Sequence, residues 1–366
     1  MNLFLMDKYF KPIVIVPGFT SFIWSSCYSE PGSFELYLKY DKELFKILLL
    51  EARYIFRTDT KKLGYIQNLK KSSKTSNGST ILLSGPHLEG ITQKYIFKGI
   101  ASTLKGTLPL TEWLKNSLLN IQPFNVSISE EFGSDLMYTL DSPKIVDSNA
   151  QALIYAMLRY HKVSLTHEKL GEGVTFRIWQ GRDRSISQPN NPVLLSEKIG
   201  NICNIQYQKS EAGCYNVVHG TGYTDLIQYY RDNGLRYVYP DDEEIGSIDK
   251  VHTHFNFDLV VDEFYDKKGN KVYEVNKAAS YQRFLSEAPK HLVPVSESFS
   301  ADLIDPSIVE LGDIVSIKDD DTGLIFDKRV EKLVESYNPN KKELKITFGD
   351  PVRTMKDVLT KSMGME

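Results

Sequence analysis

Two histidines, His252 and His254, stand one residue apart in a run that alternates polar and apolar side chains. On an extended strand both imidazoles leave on the same side, followed there by Asn256 and Asp258, while Val251, Phe255, Phe257 and Leu259 face the other way. Such a side could hold a divalent metal with Asp258 as a further ligand. It also has the plain character of the solvent face of a half-buried strand, and no metal ligand is assigned on this pattern. Asp319-Asp320-Asp321-Thr322-Gly323 is rich in carboxylates but lacks the alternating acidic positions of a calcium loop. Val330 stands where the distal bidentate Glu would be needed, so the run reads as a hairpin turn.

Ile13-Val14-Ile15-Val16-Pro17-Gly18-Phe19 has the form of a strand and oxyanion turn, but hydrolases of that kind need a Gly-x-Ser-x-Gly elbow and the chain has none. Gly220-Thr221-Gly222 and Gly171-Glu172-Gly173 lack the third glycine and the strand-to-helix context of a phosphate loop. No spacing among the 47 carboxylates singles out a glycosidase pair. No catalytic, cofactor-binding or metal residue is therefore assigned, no cofactor is expected, and the chain is not read as an enzyme.

With 366 residues, 41% hydrophobic and 25% charged, the chain has the length for two or three domains and the composition of a globular protein. Its net charge of −3 gives no clustered basic excess for phosphate binding. Cys27, Cys203 and Cys214 are too few and scattered for a disulfide framework or a Cys-x-x-Cys zinc site, which points to manufacture in a reducing cytoplasm. The apolar start of the chain is broken by Asp7, Lys8, Lys11 and Pro12, so neither a signal peptide nor a membrane segment is expected.

These residues must be positioned by strands. Ile13–Val16, Phe22–Tyr28 and Phe34–Tyr40 read as strands, Asp41 as the cap of a helix through Ala52, and Tyr54–Thr58 as the partner of Gly64–Lys70. Ser76-Asn77-Gly78-Ser79 then turns a hairpin between Gln67–Lys74 and Thr80–Leu83, completing a β-barrel with one helix. Thr111–Asn120 and Ser148–His161 read as helices, the second capped by Ser148 or Asp147 with Leu153, Ile154, Met157 and Leu158 on its core face. Val174–Gln180, Ile202–Gln208 and Tyr215–His219 return to β, with Gly181-Arg182-Asp183-Arg184 as a turn. Asp225–Asp232 is helical, His252–Val261 and Lys271–Val275 are strands, and Asn276 caps a helix to Ala288 that Pro289 ends. Four last strands are predicted at Ile314–Ile317, Leu324–Phe326, Arg329–Tyr337 and Glu343–Phe348, the second and third parted by a turn at Phe326-Asp327-Lys328. Val330 is out of step with Leu333 and Val334, which predicts a bulge.

Several of these stretches together resemble a known family. They are Trp24, Gly32-Ser33-Phe34-Glu35-Leu36, Leu48-Leu49-Leu50, Arg57, Gly64-Tyr65-Ile66 and Ser84-Gly85; then Gly181-Arg182-Asp183-Arg184 with Ser196 after Pro192-Val193, and Tyr215-Asn216-Val217-Val218; and finally Leu311-Gly312-Asp313-Ile314-Val315 with Ile346-Thr347-Phe348-Gly349-Asp350. The chain is similar to phage tail and baseplate hub proteins, including the siphovirus ReqiPepy-type tail protein, the N-terminal hub of tail-associated lysozymes and contractile-tail baseplate hubs. The resemblance implies a mainly β fold with an α+β insertion, in which two related β-barrel hub domains accompany a smaller helix-containing domain. The expected division is a first barrel at 1–90, a helix-containing α+β domain at 91–172, a discontinuous second barrel at 173–222 and 296–352, an inserted α/β segment at 223–295 and a tail at 353–366. It further implies a homotrimer in the virion tail tip or baseplate, assembled in the bacterial host cytoplasm. The implied partners are a distal tail or tube-initiator protein, a tape-measure protein and a tip or spike protein, with DNA passing through the lumen. The alternative of a different class is a tail-tip cell-wall hydrolase or carbohydrate-binding module.

Overall fold

In the strand Ser33–Lys39, Phe34, Leu36 and Leu38 are buried while Ser33, Glu35 and Lys39 are exposed, the alternation of a strand with one face on a core. Its antiparallel neighbours Ser21–Cys27 and Gly78–Pro86 add Phe22, Trp24, Ile81 and Leu83 to the same core. A four-stranded sheet ordered Pro12–Ile15, Leu3–Met6, Tyr54–Arg57, Lys62–Tyr65 contributes Leu5 and Ile55 to it. The helix Lys42–Leu50 contributes Leu44 and Leu48, and the predicted cap is present: Asp41 accepts from the Leu44 amide at 2.8 Å.

These positions come from a computed structural model, which describes residues 1–74, 78–94, 96–97, 106–118, 126–128, 132, 135–140, 148–189, 191–240, 250–293, 295–305, 307–339 and 341–349. Two compact units divide the chain, one made of Met1–Tyr207 and Phe299–Gly349, the other centred on Gln208–Ser298. Among the described residues no helix is long and apolar enough to cross a membrane.

The first unit is built on one large sheet, whose main path runs Ile202–Ser210, Ser296–Leu303, Lys341–Gly349, Ile325–Asn338, Ser21–Cys27, Ser33–Lys39, Gly78–Pro86, Asn68–Lys74. The predicted mainly β class with helical insertions holds, but the strands form several open sheets rather than closed barrels. The predicted turn at Phe326-Asp327-Lys328 is absent. Ile325–Asn338 is a single strand, with Phe326, Asp327 and Lys328 opposite Ile317, Ser316 and Val315. Asp327 is held in the strand because its carboxylate accepts from the Ser316 and Ser187 hydroxyls, which gives a turn-forming residue a better partner than its own backbone. The bulge lies where Val330 predicts it: the register against Lys341–Gly349 shifts between Val330 and Lys332.

Leu110–Leu118 and Ala150–Tyr160 are helices, and Trp113, Leu114, Ile154, Met157 and Leu158 form a core with Phe176 and Ile178 of Gly173–Trp179. The second helix begins at Ala150, and Ser148 pairs with Phe97 in a short ladder before it; Asp147, Leu119, Asn120, Ser76 and Asn77 fall outside the described residues. Ser164–Leu170, antiparallel to Gly173–Trp179, is a strand that the polar run LTHEK conceals from a reading of apolar period.

In the second unit the sheet order is Leu235–Tyr239, Val217–Tyr223, His252–Asp258. The helix Lys277–His291 lays Phe284 and Ala288 against Val218, Phe255 and Phe257, and Asn276 caps it by accepting from the Ala279 amide at 2.9 Å. Pro289 does not end this helix. It lies in the last turn, where its missing N–H forfeits one bond, and the Leu292 amide closes the end on the Pro289 carbonyl at 3.3 Å.

Gly181-Arg182-Asp183-Arg184 is not a free turn, since Asp183 and Arg184 pair in parallel with Ile314 and Val315. This crossing brings Gly181 so near Gly312 that a Cβ on Gly181 would stand 1.9 Å from the Gly312 carbonyl oxygen. Gly181→Ala is therefore expected to destabilise the protein by about 3 kcal/mol, the upper part of the overpacking range. Urea denaturation of the two proteins checks this; an unchanged midpoint would contradict the crossing.

Candidate functional site

Arg57 ends the strand Tyr54–Arg57, and its side chain is 2% exposed. An arginine this deep keeps its charge only if both edges of the guanidinium meet acceptors. Nε and Nη2 donate to Asp59 at 2.9 and 3.0 Å, Nη2 donates to the Tyr337 hydroxyl at 2.8 Å, and both Nη atoms donate to the Glu335 carboxylate. The guanidinium also lies 5.6 Å from the Trp24 ring and 5.4 Å from the Tyr337 ring, within cation–π range. Burial works against the Arg57 charge, but the hydrogen bonds it donates to Glu335 and Asp59 outweigh it and hold the group above its ordinary value. Burial likewise pushes the Glu335 carboxyl up, and the Arg57 contacts bring it below the usual range.

Motif reading isolates Trp24 and Arg57 but misses their partners Glu335 and Tyr337, 278 and 280 positions from Arg57. A signal exists: beyond the bulge, Glu335 falls on the same side of the strand as Leu333 and Tyr337, a charge in an apolar row.

A second joint links two further motif stretches. Asp313, 1% exposed, accepts from the Arg182 amide at 3.3 Å and from Arg184 Nη1 at 3.2 Å, and Arg184 Nη1 donates also to the Ile308 carbonyl at 2.9 Å. Ser196 donates to Asp320 at 2.7 Å. Asp319 accepts from the Asp321 amide and the Thr322 hydroxyl, so Asp319–Gly323 is the hairpin turn between Ile314–Lys318 and Ile325–Asn338.

The third cluster surrounds a cavity of about 80 Å3 lined by Cys27, Lys62, His87, Glu89, Thr166 and Trp179, among others. The Leu63 amide donates to His167 Nε2 at 2.7 Å, which makes that nitrogen an acceptor and puts the imidazole proton on Nδ1, 2.8 Å from Glu89 Oε1. Lys62 Nζ donates to the Thr166 hydroxyl and the His167 carbonyl. Burial pushes the Glu89 carboxyl up, but His167 and Lys62 outweigh it and bring it down to about 2. The fully buried His87 imidazole, stacked 4.0 Å from the Trp24 ring, is pushed down to about 3 by burial. Burial and the nearby Glu30 carboxylate raise the Cys27 thiol to about 12, so it stays protonated and a poor nucleophile. His87 Nε2, Glu89 Oε2 and Trp179 Nε1 have no hydrogen-bond partner among the described residues, and the cavity has room for about two waters at about 30 Å3 each. The chemistry here is that of a polar joint between Lys62–Tyr65, the turn of 3-10 helix at Leu88–Lys94 and Ser164–Leu170.

His252 and His254 both lie on the strand His252–Asp258, where exposed and half-buried residues alternate as the sequence predicts. His252 meets His219 and His254 meets Thr221, a pairing across strands that sequence spacing does not reveal.

The fold that carries these joints is that of phage tail proteins. Along nearly the whole chain it is similar to prophage tail protein gp18 from Listeria monocytogenes EGD-e, with a TM-score of 0.53 and 14% identity over 100% of this chain and 99% of that one. It is similar to the tail protein from Neisseria meningitidis MC58, with a TM-score of 0.55 and 13% identity over 95% and 96% of the two chains. It is also similar to the 43 kDa tail protein of prophage MuSo2 from Shewanella oneidensis, with a TM-score of 0.53 and 12% identity over 95% and 98%. Within that class, residues 2–104 match the family described as siphovirus ReqiPepy6 Gp37-like protein, the stretch that contains Trp24, Arg57, Gly64 and Gly85. No curated protein matches the chain. The resemblance to phage tail proteins is thus borne out, by family in the first region and by fold along the rest.

Two outcomes follow from these joints. Arg57→Met is expected to cost about 3 kcal/mol, the low end for a broken buried pair, because Glu335 keeps Lys342 at 3.1 Å and the Tyr337 hydroxyl at 2.7 Å, and adding Glu335→Leu is expected to restore part of that loss. Additive losses in a double-mutant cycle would contradict the clamp. His87 is held well below its unfolded value near 6.5, so its contribution to stability is fully present above pH 6.5 and is lost as pH falls toward 3. One such proton gives a slope of up to about 1.4 kcal/mol per pH unit, and His87→Gln is expected to flatten the dependence of the urea midpoint between pH 6.5 and 4.

Proposed function

We propose that the chain is a structural hub subunit of a phage tail tip or baseplate, or of a phage-tail-like bacteriocin. The observation that carries this reading is the match of residues 2–104 to a siphovirus tail-protein family, in a chain whose fold along its whole length is that of prophage tail proteins. The subunit acts as a homotrimer at the virion tail tip or baseplate, assembled in the bacterial host cytoplasm. Each chain offers two β regions on one sheet, so three chains present six similar faces to a six-fold tail tube or distal tail ring and a three-fold face to the tip or spike. The distal tail or tube-initiator protein, the tape-measure protein and the tip or spike protein are its partners. DNA leaves through the lumen, and a net charge of −3 suits a wall that phosphates pass without adhering. The clamp between Arg57 and Glu335 supports this reading, because an adaptor that transmits load between rings needs its two β regions fixed to each other rather than hinged.

Light scattering on the purified chain, alone and mixed with the neighbouring tail proteins, tests the proposal. A mass three times 41.8 kDa, alone or on the partner ring, is expected. A monomer that ignores those partners would overturn the hub reading and leave the cell-wall hydrolase or carbohydrate-binding module in its place.

A further inference from the structure

One face of the second unit's sheet carries a row of imidazoles. Val217–Tyr223 and His252–Asp258 run parallel, with His219 opposite His254, Val217 opposite His252 and Thr221 opposite Asn256. Partnered positions share a face, so His219, Thr221, His252 and His254 stand together, away from Val218, Phe255 and Phe257, which pack with Phe284 of the helix Lys277–His291. His219 Nε2 lies 2.8 Å from His252 Nδ1, and His254 Nε2 lies 2.9 Å from Thr221 Oγ1.

Two imidazole nitrogens at that distance share a single proton, with one lone pair aimed at the other nitrogen. When the donor ring takes its other tautomer, with the proton on its outer nitrogen, two lone pairs face the space between the rings. Tetrahedral ligands at about 2.0–2.1 Å from a zinc ion stand about 3.3 Å apart, so the pair takes the ion by opening about half an ångström and tilting both rings toward a point beside the line that joins the nitrogens.

We propose that His219 and His252 form a binding site for a divalent transition metal of the zinc, nickel or copper class. Imidazole selects that class over magnesium and calcium, which take oxygen ligands. No group of three His, Cys, Asp or Glu ligands is gathered around one point among the described residues. The site is therefore two-coordinate from the protein, with water in the remaining positions, and His254 is the next ring along the row. Access is open, since His252 and His254 are exposed.

The test is calorimetric titration of the chelator-treated full chain with Zn2+, and separately with Mg2+, for wild type, His219→Ala, His252→Ala and the double variant, each confirmed folded by circular dichroism. One Zn2+ per chain is expected for wild type, with binding weakened at least tenfold by either single substitution, abolished by both and absent for Mg2+. Because His252 is exposed, His252→Ala remains informative if His219→Ala fails to fold. Zn2+ binding by His252→Ala as tight as that of wild type, or no Zn2+ binding by wild type, would overturn the site. The readout is independent of oligomeric mass, so it stands or falls apart from the hub reading.

Discussion

Burying one guanidinium sets the terms for the first unit. Arg57 lies where water does not reach, and a charge in that position must be matched by charge of opposite sign or it unfolds its surroundings. Asp59 supplies part of the match from two residues away, and Glu335 supplies the rest from the last third of the chain. The strand Ile325–Asn338 is thereby held beside Ser21–Cys27, in register from Lys332 opposite Cys27 to Tyr337 opposite Phe22. Everything attached to that strand inherits its position: Ile314–Lys318 on one stretch, Lys341–Gly349 on another, and through them the core of Val315, Ile317, Val330, Ile346 and Phe348.

The other joints follow the same logic with different groups. Asp313 is buried against Arg184, and the backbones of Gly181 and Gly312 approach so closely that no side chain fits between them. Around the cavity, His167 joins the Leu63 amide to Glu89 and Lys62 donates to Thr166 and the His167 carbonyl, in a setting whose burial keeps His87 neutral. Each joint unites segments far apart in sequence, and each uses residues that belong to the motif stretches or lie next to them. The motif stretches that meet in these joints thus act as contact surfaces between strands.

That also explains what the sequence displays and what it hides. Period-two alternation makes Phe34, Leu36 and Leu38 plain, the Asp41 cap is written in four residues, and the out-of-step Val330 marks the bulge. All of these are local. Alternation tells which face a residue takes but not which strand lies beside it, so the meeting of Ile325–Asn338 with Ser21–Cys27 and of His219 with His252 is invisible in one dimension. Asp327 reads as a turn former until the serine hydroxyls that hold it in the strand are known, and Ser164–Leu170 shows too few apolar residues to announce itself. Of the Arg57 clamp, the motif exposes the cation and Trp24; the anions become legible only when a charge in an apolar row is treated as half of a pair.

The shared strand also governs the order of events during synthesis. Ser21–Cys27, with Phe22 and Trp24 on its core face, leaves the ribosome about 300 residues before the strand that covers its open edge. At about 5–20 residues per second this edge stays unpaired for tens of seconds, in a chain rich in long-range strand contacts that form slowly. The nascent protein thus carries an unpaired strand edge through most of its translation, the condition in which such edges pair with the wrong partner.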